Sequence, residues 1–67
     1  MPKVRDAIRL VEDDGWCLAR TRGSHRIFKH PTKEGTVIIA GNAHVDIAAG
    51  TWQSILKQAA LKPEKPQ

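Results

Sequence analysis

The chain contains no tyrosine, a single cysteine and no apolar run approaching the length of a membrane span. The last two shortages each remove a class of protein from consideration. Cys17 alone cannot close an internal disulfide, and without a second cysteine there is no thiolate pair for a structural zinc, so stability must come from packing. A lone thiol fits a reducing compartment, and no basic start followed by a signal-type apolar stretch opens the sequence, so a cytoplasmic protein is expected. Crossing a bilayer takes roughly 20 consecutive apolar residues. None are present, so no membrane partner is expected. With 67 residues the chain has room for one small core only. A single domain over residues 1–61 is the expected organisation.

Negative charge is missing from one stretch in particular. Lys and Arg number 11 against 7 Asp and Glu, a formal charge of +4. Between Asp14 and Glu34 there is no carboxylate at all, while Arg20, Arg22, Arg26, Lys29 and Lys33 lie there with His25 and His30. A basic block of this kind suits a phosphate backbone, although a basic surplus also simply keeps a small protein soluble. The first fourteen residues mix both signs, as a solvated helix face does.

Apolar residues Val4, Ala7, Ile8 and Val11 recur at the spacing of an amphipathic helix over Lys3 to Asp14, with Gly15 as its stop. The period then changes to two. Trp16, Leu18 and Arg20 alternate with Cys17, Ala19 and Thr21, which predicts a strand with Trp16 and Leu18 inward. Arg22-Gly23-Ser24 reads as a turn. A second strand from His25 to His30 places Arg26, Phe28 and His30 on one face and His25, Ile27 and Lys29 on the other, and Pro31 ends it. The β-branched run Thr36 to Ala40 is the third strand. Gly41 to Gly50 reads as a partly mobile loop. From about Thr51 to Leu61, Trp52, Ile55, Leu56 and Ala59 mark a second helix, and residues 62–67, with two prolines and no periodicity, read as a disordered tail. The predicted fold is α+β in the order α-β-β-β-α: a three-stranded antiparallel sheet with both helices on one face, like a double-stranded-RNA-binding domain.

The segments Thr21-Arg22-Gly23-Ser24-His25-Arg26-Ile27-Phe28-Lys29-His30-Pro31, Gly35-Thr36-Val37 and Gly50-Thr51-Trp52-Gln53-Ser54-Ile55-Leu56-Lys57-Gln58-Ala59 together resemble the HicA family of toxins. The resemblance runs from about Val4 to Leu61. It implies cleavage of mRNA without a metal or other cofactor, growth arrest, and neutralisation by a HicB-type antitoxin protein. The histidine of the family's Gly-Ser-His motif, its essential residue, falls on His25. One stretch departs from the pattern: where the family tends to carry a proline and a histidine ahead of a Gly-Asn pair, this chain reads Ile38-Ile39-Ala40 before Gly41-Asn42.

The chemistry of the residues agrees with that assignment. Histidine, with an ordinary pKa of about 6.5, both accepts and donates protons near neutrality, as attack by a neighbouring 2′-hydroxyl requires. Arg20, Arg22, Ser24, Arg26 and Lys29 are the expected RNA-binding residues. Arg22 and Lys29 are the closest helpers, since alternation turns Arg26 away from His25. His30, ahead of Pro31, is better explained as satisfying a turn. His25, His30 and His44 lack the spacing of a metal site. Trp16, Phe28 and Trp52 fit core positions rather than base-stacking platforms. The alternative to a ribonuclease is a module of the same fold that binds structured RNA without cutting it.

Overall fold

The computed structural model describes residues 2–61, and the expected tail lies outside them. Its elements run α1 (Val4–Asp13), β1 (Cys17–Arg22), β2 (His25–Lys29), β3 (Val37–Ala40) and α2 (Ala49–Gln58). The three strands form one antiparallel sheet in the order β1-β2-β3. The α+β, α-β-β-β-α architecture resembling the double-stranded-RNA-binding fold is therefore the observed one.

Helix α1 forms because its apolar stripe has a core to face: Val4, Ala7 and Val11 are buried, and Ile8 packs at the edge of the same cluster. Gly15 ends it. With φ +106° this glycine takes a left-handed turn, its N–H donating to Glu12 O at 3.0 Å while the N–H of Trp16 donates to Val11 O at 3.0 Å. Trp16 is thereby delivered into the core just ahead of β1 and is 2 % exposed.

The core is filled from both layers. Phe28, Val37 and Ile39 on the sheet meet Val4, Val11, Ile47, Ile55 and Ala59 from the helices and the loop before α2. Both helices lie against β3, so β1 is the uncovered edge. That position corrects one expectation. Leu18 pairs with the buried Phe28 and shares its face, yet it is 51 % exposed because no helix reaches over β1.

The segment between β3 and α2 is tied down by backbone pairing rather than loose. Val4 N–H donates to Val45 O and Arg5 N–H to Ala43 O, each at 2.9 Å, so the loop satisfies donors that the start of α1 leaves free. Ile47 N–H donates to Pro2 O at 2.7 Å, and the Lys3 ammonium pairs with Asp46 at 2.9 Å. Helix α2 begins at Ala49, two residues before the expected Thr51. Beyond Gln58 its end repeats the closing device of α1: Ala60 N–H donates to Lys57 O at 3.1 Å and Leu61 N–H to Leu56 O at 2.8 Å. Here the left-handed position is held by Ala60, at φ +58°.

Candidate nucleic-acid interface

The sheet pairing sorts the basic block into two faces. Residues paired directly across antiparallel strands point to the same side. The row Leu18–Phe28–Val37 and the row Thr21–Arg26–Ile39 face the helices. The rows Arg22–His25–Ala40 and Arg20–Ile27–Ile38 face away from them, as does Lys29 opposite Cys17. His25, Arg20, Arg22 and Lys29 therefore share one face that no helix covers, and all four are exposed.

Arg20 reaches that face through an irregularity. Strict alternation from Leu18 groups Arg20 with the inward residues, and the pairing corrects this: a register shift between Leu18 and Arg20 leaves Ala19 as an extra residue and turns Arg20 and Arg22 outward. Where the strand ends, Gly23 has φ +60° while Ser24 does not enter the left-handed region, so the two-residue connection is of type II′. Ser24 is exposed in the turn, and its carbonyl accepts from Gly41 N–H at 3.2 Å, linking the hairpin tip to the end of β3. His25 follows at once, facing Arg22.

Arg26 is not brought to this face. It lies half-buried on the helix side, its Nη1 donating to Gly41 O at 2.7 Å. Two other members of the basic block are also engaged within the fold. His30 Nδ1 accepts from the backbone N–H groups of Thr32 and Lys33 at 3.0 and 3.1 Å, so Nε2 carries the proton and donates to Asp14 O at 2.8 Å. Its ring meets Trp16 edge-on, with centroids 5.2 Å apart. The Lys33 ammonium donates to Asp14 Oδ2 and to Ala59 O, at 3.2 Å for the latter, and joins the ends of α1 and α2. This hydrogen bond holds the Asp14 carboxyl below its ordinary value against a smaller opposing effect of burial, with further help from the Lys33 charge and the Trp16 N–H. Lys3 does the same for Asp46, first by its hydrogen bond and then by its charge.

The open face is not only charged; it also holds apolar residues. Ile27 and Ile38 form a common wall between two hollows. One, of about 280 Å³, is lined by Arg22, His25, Ile27 and Ile38. The other, of about 520 Å³, is lined by Ala19, Arg20, Ile27, Lys29, Thr36 and Ile38. Alternation in β2 and β3 carries the signal for that wall. No Asp or Glu occurs in any of the three strands. The altered stretch before Gly41 is part of the site's surroundings, since Ala40 is paired with His25 while Ile39 is buried beneath it. His44 sits exposed in the loop, where its carbonyl receives Lys3 Nζ at 3.5 Å.

No helix among the described residues is long and apolar enough to cross a membrane. The sequence profile for the HicA toxin of bacterial toxin-antitoxin systems matches residues 4–61 of the 67. No curated protein matches the chain significantly.

Proposed function

The chain belongs to the HicA family, the toxin side of bacterial toxin–antitoxin systems, and from that membership we propose that it is an endoribonuclease that cleaves mRNA in the cytoplasm and arrests growth, with His25 as its general acid and base. One observation carries the reading: His25 shares an uncovered, carboxylate-free sheet face with Arg20, Arg22 and Lys29.

RNA lies across this face with a phosphate in the hollow beside His25. The imidazole takes the proton of the 2′-hydroxyl as its oxygen bonds to phosphorus. The bond from phosphorus to the 5′ oxygen breaks, and the imidazolium returns the proton to that leaving oxygen. The products are a 2′,3′-cyclic phosphate and a 5′-hydroxyl. Water then opens the cyclic ester to a 3′-phosphate. Arg22, opposite His25, offers donors to the additional negative charge on the phosphoryl oxygens, where such contacts matter most. Arg20 and Lys29 hold neighbouring phosphates, and Ser24 adds a hydroxyl at the turn. Arg26 contributes to RNA binding by fixing the hairpin against Gly41 rather than by contact. No step calls for a metal or cofactor.

As a toxin of such a system the chain has an antitoxin partner. A HicB-type antitoxin presenting acidic groups to the basic face both holds the toxin and covers His25.

The test is incubation of the protein and its His25→Ala variant with a long single-stranded RNA in EDTA, followed on a denaturing gel. Cutting by the parent alone, with cyclic-phosphate ends, is the expected result. Binding without cutting by either protein overturns it in favour of a non-catalytic RNA-binding module, and fragments ending only in 3′-hydroxyls refute the mechanism.

A further inference from the structure

We propose that the larger hollow on the open face is a nucleobase subsite, walled by Ile27 and Ile38, which takes an unpaired base of the nucleotide next to the scissile phosphate. The inference rests on RNA lying across this face, and it makes the ligand a single strand in spite of a fold shared with binders of duplex RNA.

The argument begins with what a duplex offers. Double-stranded RNA presents phosphates and ribose hydroxyls and keeps the faces of its bases stacked inside, so a surface built for it needs spaced cations and polar groups. The face observed here is different. Its centre is apolar: Ile38 is 46 % exposed and Ile27 half-buried, directly paired with one another across β2 and β3. Exposed isoleucines set against phosphates gain nothing, whereas the flat face of a base removes their surface from water.

Charge selects the occupant. The hollow beyond the wall is flanked by Arg20 and Lys29, with Thr36 as its one uncharged polar side chain, and no carboxylate lies in any of the three strands. An apolar wall between cations suits a ligand that is itself an anion with an apolar plate, which describes a nucleotide. His25 and Lys29 are four residues apart in β2, about 13 Å along the strand, so a phosphate beside His25 leaves room for the next nucleotide over Ile27 and Ile38. The Thr36 hydroxyl then faces the edge of that base, where it both donates and accepts hydrogen bonds.

Binding alone tests this, without cleavage as a readout. The full chain carrying His25→Ala is titrated with a single-stranded oligouridylate, with an abasic ribose-phosphate chain of equal length and charge, and with an RNA duplex. The base-bearing strand is expected to bind roughly tenfold more tightly than the abasic chain. Ile38→Thr, which keeps a β-branched residue at an exposed position, brings that ratio close to one, and Ile38→Val reduces it less. Lys29→Ala weakens both single strands alike. Equal affinity for base-bearing and abasic chains overturns the subsite, as does an unchanged ratio in a folded Ile38→Thr protein or a duplex that binds tightest. Failure of cleavage by the parent, by contrast, counts against the ribonuclease and leaves the measured ratio to decide the subsite.

Discussion

Arg22 and His25 face each other across the pair that closes the β1–β2 hairpin, with only Gly23 and Ser24 between them. Opposed residues in an antiparallel pair have Cβ atoms about 4.5–5.5 Å apart. The two side chains thus leave the backbone side by side, and both line the same hollow. Replacing Arg22 by Ala is expected to lower the single-turnover cleavage rate by about 100-fold, the scale seen when one transition-state donor is removed. RNA affinity falls much less, and the melting temperature is unchanged, because Arg22 is exposed. An equal loss in binding and rate shows a phosphate anchor instead.

Salt dependence distinguishes the cations of the open face from those used inside the fold. Each phosphate contact on a single strand contributes about −0.7 to the slope of log K against log salt. Lys29→Ala and Arg20→Ala are each expected to reduce the slope by that amount. Lys33→Met is expected to leave it unaltered, since that ammonium is already bound to Asp14 and Ala59. A reduced slope in Lys33→Met contradicts this division.

The two helix ends close alike, yet with different residues, and substitutions there are expected to act in opposite directions. Ala60 holds φ +58° where glycine carries no steric penalty, so Ala60→Gly stabilises by about 0.5–1 kcal/mol, a rise of a few degrees in Tm. Gly15→Ala destabilises by more than that. Beyond the strain of φ +106°, the added Cβ meets His30 Nε2 at 2.8 Å and forces the ring from Asp14 O. Thermal unfolding of the two variants checks both signs.

Acid is expected to loosen the joint at the end of α1. Lys33 lowers the Asp14 carboxyl below its ordinary 3.8 in the folded protein, so the folded state binds fewer protons there than the unfolded chain. The contribution is fully present above the unfolded value and disappears as the pH falls from about 4 through the native one. Asp46, paired with Lys3, behaves in the same sense. Denaturant melts between pH 6 and roughly 2.5 should therefore show a shallower loss of stability for Asp14→Asn than for the parent. Parallel curves refute the assignment.

Much of this was readable from residue spacing, and the exceptions have identifiable causes. Val4, Ala7 and Val11 have one core to face and keep a regular period, so α1 and its glycine stop follow from sequence. Alternation separates His25, Ile27 and Lys29 from Phe28 because β2 is regular and flanked on both sides. In β1 the count fails at Ala19. Nothing in Leu18-Ala19-Arg20 announces an extra residue, since a bulge is set by how two strands meet and not by either alone. Leu18 departs for a related reason: alternation gives its face, but cover depends on where the helices lie. The loop before α2 reads as mobile in the sequence because backbone pairing with Pro2 to Arg5 leaves no trace in side-chain pattern. Of the expected RNA contacts, Arg20, Arg22, Ser24 and Lys29 are exposed together at the hairpin and its open face, while Arg26 is drawn inward by Gly41.

The attachment of Pro2, Val4 and Arg5 to carbonyl and amide groups of residues 43–47 has a consequence in time. A ribosome makes the start of α1 first and the groups that satisfy it only after some forty further residues, and Ile55 and Ala59, which complete the core, come later still. A chain that stops short of them carries His25 and its arginines on a sheet whose core is not yet closed. The open face that carries His25 therefore has a complete core behind it only after residue 59 has been made.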